Sequence, residues 1–295
     1  MTARMIWLKL ALGLIFGLGL GWWLAPYFAG TKAIDPIWLT LGSFQLYWYG
    51  LLMAVAVLTG FLLVTKLSQR YARLDPDATF YILVATAFGG VLGARLLFVI
   101  LSWPLYAQQW SEIWQIHHGG MSIHGAIIGG AISFYFATRH FKLTRLDAWR
   151  LMDLVTIALP LGQAIGRFGN FFNQEAFGGP TALPWKMFVA PAFRPTDFAQ
   201  WSYFHPTFLY EAIGNVAIVA ILWQCCIRRG AVPGTAVLWY LILYSSLRFI
   251  VEWWRVDSLT LGWLTLAQWG SLALIVLAVS ILVYRRMTVS QHHGN

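Results

Sequence analysis

Charge is what this chain has least of. Only 11% of its 295 residues are Asp, Glu, Lys or Arg, while 59% are hydrophobic; an ordinary soluble domain carries about 25% charged residues. That scarcity excludes a soluble globular protein and implies a polytopic membrane protein. Acids are scarcer than bases, 11 against 20, which leaves a net charge of +9. Such basicity is compatible with a nucleic-acid partner only if the bases form a solvated patch, and here they cluster beside hydrophobic runs, where they orient a membrane protein. No nucleic-acid partner is expected. The chain has just two cysteines, and the adjacent Cys225 and Cys226 beside Arg228 and Arg229 offer neither a disulfide framework nor metal-ligand spacing. Internal repeats, low-complexity segments and soluble domains are also missing.

What is present in quantity is long apolar sequence. Eight runs are candidate spans of a hydrocarbon core about 30 Å thick: Ile6 to Leu24, Leu46 to Val64, Phe80 to Leu101, Met121 to Phe136, Leu151 to Phe172, Phe208 to Ile227, Ala236 to Val251 and Trp263 to Val283. The distribution of bases tests this count. With the N-terminus inside, Arg4, Lys9, Lys66, Arg70, Arg73, Arg139, Lys142, Arg145, Arg150, Arg228, Arg229, Arg285 and Arg286 face the cytoplasm, and Lys32, Lys186, Arg194 and Arg255 face out, as the positive-inside rule requires. The first run also reads as a signal peptide, but Trp22, Trp23 and Pro26 stand where a small-residue cleavage site belongs. The expected fold class is therefore an all-α polytopic transmembrane helix bundle with both termini cytoplasmic. Residues 1–30 form an extra N-terminal span, residues 35–286 the main transmembrane domain and residues 287–295 a short cytoplasmic tail. No candidate site residue lies in residues 1–30, so activity is expected to survive their removal.

The stretch from Leu159 to Gly179, L-P-L-G-Q-A-I-G-R-F-G-N-F-F-N-Q-E-A-F-G-G, brings Arg167, Asn170, Asn173, Gln174 and Glu175 to membrane depth on a glycine-rich backbone. An arginine near the bilayer centre costs at least ~2.5–3.5 kcal/mol on insertion scales, which makes it a functional hypothesis. On a helix Arg167 and Asn170 share a face, with Gln174 one turn further along it. The following connection, residues 176–206, is rich in proline and aromatics and falls on the outer face, either as an arm or lid on the membrane surface or as an ordinary interfacial anchor. Tyr244, Arg248, Glu252 and Arg255 recur at spacings of four, four and three, forming one polar stripe on a helix. An internal Arg248–Glu252 staple explains part of that stripe. Yet Arg95, Arg167 and Arg248 all lie in apolar runs whose nearby acids are Asp153, Glu175, Glu211 and Glu252, so the outer half retains positive charge for an anionic head group held by guanidinium forks.

Four ordered motifs then carry a family resemblance. G-G-M-S-I-H-G at 119–125, G-R-F-G-N-F-F-N-Q-E at 166–175, H-P-T-F-L-Y-E at 205–211 and R-F-I-V-E-W-W-R at 248–255 resemble bacterial prolipoprotein diacylglyceryl transferase over roughly Asp35 to Tyr284. The resemblance implies an inner-membrane enzyme that moves diacylglycerol from phosphatidylglycerol to the lipobox cysteine of a prolipoprotein, releasing glycerol phosphate. It implies no metal and no cofactor, and an active site towards the periplasm. Residue by residue, Arg167 and Asn170 match the family's central signature, with Asn173, Glu175 and Gly178 closing it. Arg248 and Glu252 match its second arginine motif, Tyr244 the tyrosine one turn earlier, His124 the histidine of the G-G-M-S segment and Tyr49 the W-Y-G tyrosine. The family has seven spans and an outer N-terminus, so residues 1–30 are an addition. His117-His118 and Gln174 are local variants.

For that reaction, Arg167 and Arg248 suit both the acidification of a thiol and the stabilisation of a departing phosphate. An ordinary imidazole, with pKa near ~6.5, accepts a proton at neutral pH, which makes His124 the expected general base; Glu175 or Glu252 are the alternatives. Tyr49, Asn170, Asn173, Glu175, Gly178 and Tyr244 are expected to bind substrate alongside the two arginines, and His124, Arg167, Arg248 and Glu252 to act in catalysis. A transporter or flippase for an anionic lipid or solute would use the same arginines as a binding site, but it would usually show a second broken helix in a paired half. None is apparent. A structural scaffold leaves the arginines unexplained.

Overall fold

Helix formation follows from the long apolar runs, in which the backbone must satisfy its own polar groups once water is excluded. The computed structural model describes residues 3–116 and 119–292, with side chains described at residue 13 and over 17–116 and 119–288. Met1, His117, His118 and the end of the tail lie outside the described residues. The helices are α1 (Ala3–Phe28), α2 (Trp48–Leu67), α3 (Pro76–Leu101), the short α4 (Trp103–Tyr106), α5 (Ile123–His140), α6 (Arg145–Asn173), α7 (Thr207–Leu222), α8 (Thr235–Val251) and α9 (Leu266–His292). Among the described residues six helices are long and apolar enough to cross a membrane: Trp48–Ala72, Pro76–Leu101, Arg145–Asn173, Thr207–Ile227, Thr235–Trp254 and Leu266–Thr288. The all-α polytopic expectation is borne out. The two other expected spans are helical too. The first lies within α1, and the fourth is α5, whose 18 residues reach about 27 Å at ~1.5 Å per residue.

The chain divides into two compact units, Met1–Ala56 with Pro160–Ile221 and Leu238–Asn295, and Val57–Leu159 with Leu222–Val237. In the second, α3 starts from an Asp75 N-cap that accepts from the Ala78 amide, with Pro76 in the first turn. It packs on α5 through glycines. A Cβ at Gly129 would come within 2.9 Å of the Gly93 Cα, and one at Gly93 would collide with the Gly125 and Gly129 backbones. Small residues that admit such an approach are how membrane helices gain packing without a hydrophobic drive. The apolar core of this unit contains Val64, Leu67, Ile82, Leu83, Phe134, Leu151 and Leu154. Asp153, expected at the start of a span, accepts from the amides of Gly234 (2.7 Å), Ala236 (3.0 Å) and Val237 (3.3 Å), capping the start of α8.

Arg95 also belongs here, and its use differs from expectation. It is buried and donates to the carbonyls of Glu112 (2.5 Å), Ile113 (2.8 Å), Gly119 (2.7 Å) and Gly120 (3.0 Å). Its guanidinium is engaged in tying down the loop before α5, so it drops out of the arginine surplus assigned above to an anionic ligand.

The first unit holds the other two arginines. Its apolar core joins Leu24 and Tyr27 of α1, Phe171 and Phe172 of α6, Phe177, Met187, Val189 and Phe204 of the 176–206 connection, and Phe208 of α7. Within that connection β3 (Met187–Phe188) pairs antiparallel with β4 (Tyr203–Phe204). The arm is therefore a folded element with a buried underside, not a row of interfacial anchors. Two further hairpins, Ile37–Leu41 with Phe44–Tyr47 and Thr260–Leu261 with Leu264–Thr265, precede α2 and α9.

Candidate active site

The site begins with the end of α6. Glycines on one face of that helix let α2 lie close: a Cβ at Gly169 would fall 2.5 Å from the Tyr49 ring, and one at Gly166 3.4 Å from the Met53 sulfur. Trp48 stacks on Phe172 with centroids 4.6 Å apart. Tyr49 is thereby fixed against the helix that carries Arg167. Beyond Asn173 the backbone turns left-handed at Gln174 (φ 50°) and again at Ala176 (φ 53°). The Gln174 amide donates to the Phe171 carbonyl and the Glu175 amide to that of Asn170, a Schellman-type end built on glutamine, where a left-handed non-glycine residue costs roughly 1–2 kcal/mol. Gln174 consequently leaves the helix face on which it was expected. It is buried, and its Oε1 accepts from the Ala190 amide at 2.8 Å, which clamps the arm.

The same turn folds Glu175 back over the helix end. Its Oε1 accepts from Asn170 Nδ2 at 2.9 Å and Asn173 Nδ2 at 3.2 Å, and Arg167 Nη1 reaches Asn170 Oδ1 at 3.5 Å. These four expected residues form one connected chain. Gly178 stands where no side chain fits, since a Cβ there would lie 2.6 Å from the Trp254 carbonyl oxygen and 2.8 Å from the His205 Cβ. Its amide donates to the His205 carbonyl, and it forms an isolated β-bridge with Arg255.

On α7 and at the end of α8 the charges meet; α8 stops at Val251, a 3-10 turn carries Glu252–Trp254 and Arg255 is extended beyond it, so the expected helical stripe leaves the α-helix before its last two members. Glu211, 1% exposed, contacts Arg167 Nη2 through Oε2, and through Oε1 stands 3.9 Å from Arg248 Nη1 and 3.7 Å from Arg255 Nη1. Arg248 Nη2 pairs with Glu252 Oε2 at 2.6 Å, so the expected staple exists but is one edge of a larger cluster. Glu252, 2% exposed, also accepts from Thr265 Oγ1 at 2.9 Å. Arg255 is held by Asp257 at 3.0 and 2.6 Å. Burial opposes its charge, and the hydrogen bonds it donates to Asp257, with the charges of Asp257, Glu211 and Glu252, outweigh that and raise its pKa. Tyr244 stacks on Tyr240 one turn away, 5.5 Å between centroids, and Tyr240 donates to Gln163.

Three guanidiniums thus surround two buried carboxylates. The side chains of Arg167 and Arg248 keep 21% exposure, and Arg248 Nη1 is buried with no directed hydrogen bond. A donor in that state suits a polydentate anion such as a phosphate. Glu211 and Arg255 were not among the expected site residues. The signals were available: Glu211 closes H-P-T-F-L-Y-E, and Arg255 lies seven residues after Arg248 on its stripe. His124 belongs to the other unit, exposed on the first turn of α5 after the Ser122 N-cap. Beside the cluster, Trp185 Nε1 donates to Tyr210 Oη (2.8 Å), which is also hydrogen-bonded to His205 Nδ1 (3.1 Å). Burial lowers the His205 pKa. Among the described residues no group of three or more His, Cys, Asp or Glu is placed to hold a metal ion.

Comparison with known proteins agrees with the motifs. A family model described as prolipoprotein diacylglyceryl transferase matches residues 36–284. Three similar relatives carry the name phosphatidylglycerol–prolipoprotein diacylglyceryl transferase. That of Synechocystis sp. is 41% identical over 263 residues, covering 88% of this chain and 92% of its own. That of Synechococcus elongatus is 44% identical over 257 residues, 84% and 86%. That of Fervidobacterium nodosum is 38% identical over 288 residues, 96% of each.

Proposed function

The chain belongs to the prolipoprotein diacylglyceryl transferase family, and on that premise we propose that it transfers the diacylglyceryl group of phosphatidylglycerol to the lipobox cysteine of prolipoproteins at the bacterial inner membrane. The cysteine sulfur forms a bond to the glycerol carbon, the carbon–oxygen bond to phosphate breaks, and glycerol phosphate leaves with the bonding electrons. The thiol proton passes to a base.

The observation that carries this reading is the Arg167–Glu211–Arg248–Glu252 cluster. Each carboxylate holds one edge of a guanidinium and so fixes its plane, while the edges not held face a phosphate whose charge grows as the bond breaks. Preorganised donors in a site poor in water need no reorganisation at that moment. Glu175, Asn170 and Asn173 orient Arg167 from behind. Gly178 admits the backbone that places Arg255, Tyr49 and Tyr244 line the lipid's approach, and His124 serves as the base. The termini are cytoplasmic and the arm periplasmic, with residues 1–30 retained ahead of a domain over 35–286 and a tail over 287–295.

Purified protein mixed with phosphatidylglycerol and a lipobox peptide tests the reading. A peptide mass gain matched by equimolar glycerol phosphate is expected. Lipid movement without either product would replace transfer with transport.

A further inference from the structure

The end of α1 lies before residue 36, where the family match begins, yet it is built into the core that supports the signature helix. Leu24 and Tyr27 are 5% and 8% exposed. The Tyr27 ring meets Phe171 edge-on at 5.8 Å, Trp23 lies 6.2 Å from Phe171 and 6.1 Å from Phe172, and Phe28 lies 6.3 Å from both Phe171 and Phe208. Phe171 and Phe172 sit between Asn170 and Asn173, the two amides that hold Glu175. The other side of the contact is the arm. Gly30 takes φ 74°, and a Cβ there would come 2.7 Å from the Phe188 ring on β3. Tyr203 of β4 donates to the Ala29 carbonyl at 3.3 Å.

These contacts bear on the reaction because a helix end has no regular hydrogen-bond ladder to fix it. The turn at Gln174 is left-handed on a non-glycine residue and holds its shape only if its surroundings impose it. The arm side is clamped by Gln174 to Ala190. The helix side is held by the Phe171–Phe172 pair, whose neighbours include Trp23, Tyr27 and Phe28 of α1 and Trp48 of α2. We propose that the last turns of α1, through Leu24, Tyr27 and Phe28, are a positioning element for transfer: they fix the end of α6 and the arm, and through them the Asn170–Asn173–Glu175 chain behind Arg167. The inference rests on the transferase reading. It reverses the expectation that residues 1–30 are dispensable.

The test uses full-length protein reconstituted with phosphatidylglycerol and a lipobox peptide. Tyr27→Phe keeps the ring and is expected to match wild type. Tyr27→Ala and Gly30→Ala should lower kcat roughly tenfold to hundredfold, the order expected when catalytic groups are misplaced by up to about 1 Å, with KM for peptide changed less than kcat. Combined with Glu175→Gln, Tyr27→Ala should add little further loss, because both act on one chain of contacts. A general loss of folded protein would instead multiply with Glu175→Gln and would vanish once turnover is expressed per folded molecule. If Tyr27→Ala fails to accumulate, Tyr27→Leu and Gly30→Ala carry the same comparison. Wild-type kcat in Tyr27→Ala or Gly30→Ala, or full multiplication with Glu175→Gln, overturns the proposal. Absence of transfer by wild type overturns the functional reading instead.

Discussion

Glu211→Gln removes one negative charge from the centre of the arginine cluster while keeping the side chain's size. Glu211 is 1% exposed and faces Arg167, Arg248 at 3.9 Å and Arg255 at 3.7 Å. At an effective dielectric of ~20, each contact near 4 Å is worth about 4 kcal/mol of Coulomb energy, most of it cancelled by the desolvation already paid in folding. What survives is the asymmetry of breaking a buried pair, about 3–5 kcal/mol when one partner is neutralised and the others stay charged. Three guanidiniums would then share Glu252 and the more exposed Asp257. The expected outcome is a marked drop in the thermal midpoint of detergent-solubilised protein. Phosphatidylglycerol should restore more of it in the variant than in wild type, since a ligand that binds only the folded state stabilises it by mass action. A neutral lipid should not. If Glu211→Gln melts with wild type, or if phosphatidylglycerol stabilises both equally, the carboxylate is not the counter-ion that the geometry makes it.

Other perturbations separate the remaining groups. Arg167→Lys and Arg248→Lys keep charge but lose the planar fork, so turnover should fall by two orders of magnitude or so, as for loss of a preorganised donor; product release by mass spectrometry checks this. His124→Gln should lose activity at neutral pH and regain part of it as pH rises towards the thiol pKa of ~8.5, which supplies peptide thiolate without a base; equal inactivity at every pH would reassign His124 to positioning. His205 is depressed by burial, so below the ordinary imidazole pKa the unfolded chain takes up its proton first. Its contribution to stability is therefore complete above about pH 6.5 and is lost as pH falls through its lower folded value. A thermal midpoint that declines on acidification in wild type but less in His205→Gln checks the sign.

How much of this was legible in the sequence turns on where each side chain finds its partner. The helical class followed from scarcity of charge and run length, and the Arg167–Asn170 pair from helical spacing, whereas Asn173 and Glu175 came from the family resemblance, since the turn that folds Glu175 back over the helix end is not visible in spacing. Gln174 escaped for a local reason of another kind: the helix ends on a left-handed glutamine, a position that composition assigns to glycine. Arg95 and Arg167 show the deeper limit. Both are arginines among apolar residues and glycines, so sequence placed them in one surplus of charge. Arg95 meets carbonyls 17 to 25 residues away on a loop, whereas Arg167 meets a carboxylate on another helix. Carbonyl dipoles can satisfy every donor of a guanidinium without cancelling its charge, and they leave no edge free for a ligand. A buried carboxylate neutralises the charge while occupying one edge, which leaves the other to an incoming anion. The partner's chemistry thus makes the buried Arg95 a strut and leaves the partly exposed Arg167 an edge for the anion proposed above, and that partner is chosen by tertiary packing.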